Sequence, residues 1–79
     1  MPWRDRIIAD PEILAGKPVI RGTRLSVELI LDHLASGWSH ADLIEAYPHL
    51  AEDDIRAALA FAADMLGEAR YLAARKVAA

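Results

Sequence analysis

Apolar and polar positions change their spacing along this chain. Over Lys17-Pro18-Val19-Ile20-Arg21-Gly22-Thr23-Arg24-Leu25-Ser26-Val27, two short β-prone runs flank Gly22-Thr23. Glycine at the first central position suits a two-residue type II′ turn, so this stretch predicts a β-hairpin. Strand side chains alternate, which sets Ile20, Leu25 and Val27 on one face of the ribbon. Lys17, Val19, Arg21, Arg24 and Ser26 fall on the other. A two-stranded ribbon is marginal in water, so its apolar face must pack on other elements. Upstream, Ile7-Ile8 offers a third short strand. Asp10-Pro11 opens a turn, with Asp10 as N-cap and Pro11 at the first helical position, and Gly16 closes it.

From Ser26 the spacing becomes helical. Val27, Ile30, Leu31 and Leu34 form an apolar stripe, capped by Ser26 and stopped by Gly37. Ser39 caps a second, short helix with Asp42 in the capping-box position; it buries Leu43, Ile44 and Tyr47, and Pro48 ends it. A third helix begins near Ala51, where Glu52, Asp53 and Asp54 suit the positive end of the helix dipole. Its expected buried stripe is Ile55, Leu59, Ala62 and Leu66, with Ala58 and Met65 at the flanks. Arg56, Ala57, Ala60, Ala63 and Asp64 then face outward. The pattern predicts a mainly α (small α+β) fold: an N-terminal β-hairpin followed by a three-helix, homeodomain-like helix-turn-helix unit. Residues 1–66 form one domain, and residues 67–79 are a helical extension or tail.

Composition narrows the class. A chain of 79 residues supports one small core, worth about 3–5 kcal/mol without a staple. There is no cysteine for disulfides or thiolate metal sites. Tight helix packing or a homodimer is the expected source of stability. No apolar run approaches membrane-spanning length and the N-terminus carries no apolar leader, so the expectation is a soluble cytoplasmic protein. The net charge of −3 is unevenly spread. Residues 1–24 and 56–79 are each net +2, whereas residues 25–55 hold seven acids and no lysine or arginine. Basic ends around an acidic middle suit two different partners, or charges that balance in three dimensions.

Candidate chemistry points to binding rather than catalysis. His33, His40 and His49 lack metal-motif spacing, and the serines fit caps and turns. Three consecutive acids on a helix point about 100° apart and do not converge on one ion. No catalytic residue, metal or cofactor is expected. Helix three starts with acids that phosphates would repel, and Arg56 is its one side chain suited to bidentate base contact. The hairpin offers Lys17, Arg21 and Arg24 on one face; an anion, or acids of the middle segment, would offset their repulsion. Phe61 sits among alanines, fit either for a partner interface or for the core. Arg70, Tyr71, Arg75 and Lys76 give the C-terminal stretch a mixed basic and aromatic character. That suits a carboxylate-rich partner, or a solvated helix end.

The string Ile8-x-Asp10-Pro11-x-Ile13-Leu14-x-Gly16-Lys17-Pro18-Val19-Ile20-Arg21-Gly22-Thr23-Arg24 carries a resemblance. So do Gly37-Trp38-Ser39, Tyr47-Pro48 and Asp54-Ile55-x-x-Ala58-Leu59 further on. Together they resemble the bacterial and archaeal domain of unknown function 433 family, whose members are often labelled VapB-like antitoxins. The resemblance spans residues 7 to about 66. It implies a homeodomain-like helical fold preceded by strands, and an antitoxin that neutralises a PIN-like ribonuclease toxin and binds its own operator DNA. Lys17, Arg21, Arg24 and Arg56 would then serve DNA, and Phe61, Arg70, Tyr71, Arg75 and Lys76 the toxin. A stand-alone DNA-binding regulator and a protein–protein adaptor are the alternatives. Ala51 stands where the family often has Ser or Thr, removing a side-chain cap worth about 1 kcal/mol.

Overall fold

The computed structural model describes residues 2–67. Local capping chemistry sets the bounds of its three helices, α1 (Val27–Ala35), α2 (His40–Ala46) and α3 (Glu52–Leu66). The Ser26 hydroxyl accepts the Leu29 amide at 2.9 Å to start α1. At α2 the box is reciprocal: Ser39 Oγ accepts the Asp42 amide at 3.0 Å and Asp42 Oδ2 accepts the Ser39 amide at 2.8 Å. Ala51 has no side-chain acceptor to offer α3, and Asp54 supplies half a box by accepting the Ala51 amide at 2.8 Å. Gly67, at φ +60°, ends α3 in the left-handed region.

The Ser39 amide, and then its hydroxyl, hold the Asp42 carboxyl below the ordinary aspartate value of about 3.9. A folded-state value below the unfolded one stabilises the fold above the unfolded value; the contribution fades as pH falls through the folded one. The stability difference between the parent and Asp42→Ala should therefore shrink in acid unfolding below about pH 4. A constant difference through that range would refute this linkage.

An antiparallel hairpin precedes the helices, as expected, but its strands are not those of the predicted ribbon. Strand β1 (Ile7–Ala9) pairs with β2 (Pro18–Ile20), with Ile7 opposite Ile20, Ile8 opposite Val19 and Ala9 opposite Pro18. The segment after Gly22 contributes only an isolated bridge between Val19 and Ser26 and one bond from the Ile20 amide to the Leu25 carbonyl. The reason is local. Ser26 is committed to capping α1 and Val27 is its first residue, so no strand length remains. The turn also shifts by one residue: the Thr23 amide donates to the Ile20 carbonyl at 3.0 Å. Gly22 then occupies the third turn position at φ +80°, as type II geometry requires. Arg21 and Arg24 consequently do not face each other across a ladder, and Val19, expected on the polar face, is fully buried.

Between the strands the chain makes one left-handed turn, with Leu14 at φ 49°, Ala15 at φ 57° and Gly16 at φ 87°. A non-glycine residue there costs about 1–2 kcal/mol. Ala15→Gly is expected to match or exceed the parent's stability by up to about 1 kcal/mol, after the entropy of glycine is counted. Ala15→Val should lose at least about 1 kcal/mol. Thermal midpoints check both, and a more stable valine variant would contradict the account.

The core gathers Ile7 and Ile20 from the hairpin, Val27 and Ile30 from α1, Leu43 from α2, and Ile55, Ala57 and Ala58 from α3. Leu50, in the turn between α2 and α3, joins it. Helix α3 is rotated from the expected setting. Ala57 is buried rather than outward, whereas Leu59 is 43% exposed. The N-terminal segment causes this: a single 3₁₀ turn at Trp3–Asp5 packs beside α3 and occupies part of the expected outward face. Trp3 meets Phe61 edge-on, with ring centroids 4.9 Å apart, and its indole donates to Asp64. Phe61 is thus half-buried, serving the core on one side and the surface on the other.

Candidate functional site

Length mismatch between helices creates the main surface feature. Helix α3 has fifteen residues against nine in α1 and seven in α2. At 1.5 Å per residue it outruns both neighbours. Its last turn therefore projects beyond the core with Met65 59% and Leu66 67% exposed. Leu66, expected in the buried stripe, lies outside for this reason. Between that projecting turn and α1 lies a groove of about 460 Å³. Val27 and Leu31 line it from α1; Phe61, Ala62, Met65 and Leu66 line it from α3. Pro18 closes one side, and Lys17, Glu28 and Asp32 contribute charged groups to the lining. Lys17 Nζ lies 3.2 Å from Glu28 Oε1, an exposed pair worth about 0–1 kcal/mol.

A second recess lies beside Ser36, Trp38, Asp42 and Glu45 on α2's side, and a third is formed by Asp5, Arg6, Arg21 and Asp54. In the third, Arg6 Nη1 donates to Asp54 Oδ1 at 2.9 Å while its Nη2 lies 3.6 Å from Asp53. Asp54 is the one buried charged residue described, 6% exposed. Two donors satisfy it: the Arg6 guanidinium and the Ala51 amide. The acid expected merely to favour a helix dipole thus ties the N-terminal segment to α3.

The candidate DNA residues disperse. Lys17 pairs with Glu28, an acid of the middle segment. Arg21 Nε donates to the Asp5 carbonyl at 3.0 Å. Arg56 is 3.2 Å from Asp53 and 3.9 Å from Glu52 along its own helix. Arg24 stands apart, by the α2–α3 turn. The histidines do not converge either. His33 stacks on Trp38 at 3.9 Å and hydrogen-bonds the Tyr47 hydroxyl at 3.1 Å. His40 Nδ1 pairs with Glu52, and His49 lies near Arg24 in the same recess. Of the candidate partner residues, Phe61 lines the groove, while Arg70, Tyr71, Arg75 and Lys76 lie outside the described residues. Leu31, Met65 and Leu66 were not singled out from the sequence as interface residues. The available signal was the apolar run of α3 continuing a turn past anything α1 can cover.

The fold and groove define a small α+β domain in which a short hairpin buttresses three helices and one helix overhangs. The chain matches the family model described as protein of unknown function (DUF433) over residues 7–62, and it belongs to that family. It is similar to the uncharacterized protein y4eO of Sinorhizobium fredii (strain NBRC 101917 / NGR234), with 39% identity over 59 residues. That match covers 75% of this chain and 27% of y4eO, so the chain spans about a quarter of its relative's length. A solved structure of a DUF433 member protein from Anabaena variabilis ATCC 29413 superposes with a TM-score of 0.71 at 24% identity. It covers 96% of this chain and 71% of that one, which establishes the shared fold. Among the described residues, no helix is long and apolar enough to cross a membrane.

Proposed function

We propose that this chain is a VapB-like antitoxin that neutralises a PIN-like ribonuclease toxin by direct contact, and that the groove between α1 and α3 receives the toxin. The groove carries the reading: its apolar floor is continuous with Met65 and Leu66, which stand exposed on the last turn of α3. Side chains so placed suit contact with a partner, because docking removes their apolar surface from water. Asp32 at the α1 edge, with Glu28 beside it paired to Lys17, favours a toxin segment bearing lysine or arginine beside its apolar residues. The role is stoichiometric binding in the cytoplasm and assigns the chain no catalytic step.

Operator binding has a narrower footing, since Lys17, Arg21 and Arg56 are already engaged within the domain. Protein contact is therefore the primary activity in this proposal. The test is to express the tagged full chain in its native cells and identify what co-purifies in stoichiometric amount. A small PIN-like protein, displaced by substitutions at Met65 and Leu66, supports the reading. Recovery of only a second copy of the chain would make the groove a homodimer interface, and recovery of no stoichiometric partner would leave an adaptor or regulator; either overturns it.

A further inference from the structure

Basic groups in this domain are almost all engaged. Among the described residues, Arg6, Lys17 and Arg56 hold carboxylates, Arg21 holds a backbone carbonyl, and Arg4 lies over the Trp3 ring at 4.4 Å. Arg24 alone has no such partner among them. His33 and His40 are likewise engaged, with Tyr47 and Glu52, whereas His49 is not. These two unengaged groups line one recess of about 290 Å³, between the Gly22–Leu25 turn and the α2–α3 turn. The groove and the two recesses described above each contain carboxylates, whereas none lines this one. In a chain of net charge −3, that local balance needs a reason.

We propose that this recess is an oxyanion site that takes a phosphate group, held between Arg24 on one wall and His49 on the other. Arg24 supplies a planar fork of donors that matches phosphate oxygens, and the imidazole of His49 supplies an N–H donor in either charge state. The fork of Arg24 and the N–H of His49 sit on separate loops, and the several oxygens of one phosphate can accept from both while its charge matches the guanidinium. Both walls are held in place. The Thr23 hydroxyl donates to the Ile20 carbonyl at 2.8 Å and accepts the Leu25 amide at 3.0 Å. Tyr47, on the opposite wall, is fixed through its hydroxyl to His33, itself stacked on Trp38. The two turns that carry Arg24 and His49 are therefore held before any ligand arrives, so binding orders the two side chains and not the backbone. The site is separate from the α1–α3 groove, and its existence does not depend on the toxin.

The test follows backbone amide shifts of the full chain by NMR while sodium phosphate is added, against sodium chloride at equal ionic strength. Phosphate should move the amides of residues 22–25 and 46–49 in a saturable way that chloride does not. Arg24→Gln and His49→Ala should each raise the midpoint about tenfold, as expected for loss of one charge-assisted or strong hydrogen bond. Both side chains are exposed, so the amide spectra should otherwise retain the parent fold. A short DNA duplex, added in a second titration, distinguishes the source. The same shifts at lower concentration assign the phosphate to a nucleic-acid backbone; phosphate-only shifts assign it to a small phosphorylated molecule. Shifts reproduced by chloride, or midpoints unchanged in both variants, would overturn the site.

Discussion

Asp54→Ala is expected to lower unfolding stability by about 2–3 kcal/mol, a large share of the roughly 3–5 kcal/mol available to a core this small. Asp54 is 6% exposed and its carboxylate has two donors, so its removal leaves the Ala51 amide unpaired and the Arg6 guanidinium with only the longer contact to Asp53 at 3.6 Å. Breaking a fully buried pair typically costs about 3–5 kcal/mol, but Arg6 is about one-third exposed and water recovers part of the loss. A cycle separates the contributions. With Arg6→Met in the background, Asp54→Ala should cost only the cap, about 1 kcal/mol. Asp54→Asn should fall between parent and alanine, because the amide oxygen still accepts from Ala51. Denaturant unfolding measures all of these. If Asp54→Ala lost no more than about 0.5 kcal/mol, the link between the N-terminal segment and α3 would carry no structural weight.

On the proposed reading, Met65→Gln combined with Leu66→Gln should weaken toxin binding about a thousandfold or more and leave the domain's own melting temperature within a few degrees of the parent. Each side chain is already partly covered, so docking buries the remainder, about 1–2 kcal/mol apiece. Placing an amide in the same apolar contact adds a desolvation cost of about 1–3 kcal/mol, and each 1.4 kcal/mol is tenfold in affinity. Glutamine retains helix propensity and adds no charge beside Asp64 at the C-terminal end of α3, so the fold is spared. Titration calorimetry against the co-purified partner measures the change. Unaltered affinity would remove α3's overhang from the interface, whereas a collapse of the melting temperature would show these residues to be core.

These two predictions draw on different parts of the chain. The groove was partly visible in the sequence, since Phe61 and the long apolar run of α3 stood out. Its position was not, because which face a helix buries depends on every element laid against it. Trp3 and Arg6 cover α3 from the far end of the chain, and nothing in local spacing marks Trp3 as the neighbour of Phe61 or Asp64. The Arg6–Asp54 pair joins positions 48 residues apart and was equally invisible. The recess holding Arg24 and His49 depends on two turns that meet only once α2 and α3 are packed.

What the sequence by itself determined is local: where helices start and stop. Ser26, Ser39 and Asp42 satisfy backbone amides within one turn of themselves, and Pro48 cannot continue a helix. Such choices are settled by neighbours three or four residues away, so they can be read in order along the chain. The tertiary structure alone decided which strand pairs with β2, because Ile7–Ala9 and residues 24–27 are both competent to extend it. Ser26 and Val27 were claimed by α1, and Ile7 opposite Ile20 closed the core over the helices. The competition was resolved by packing, which compares whole arrangements, and no residue pattern records that comparison.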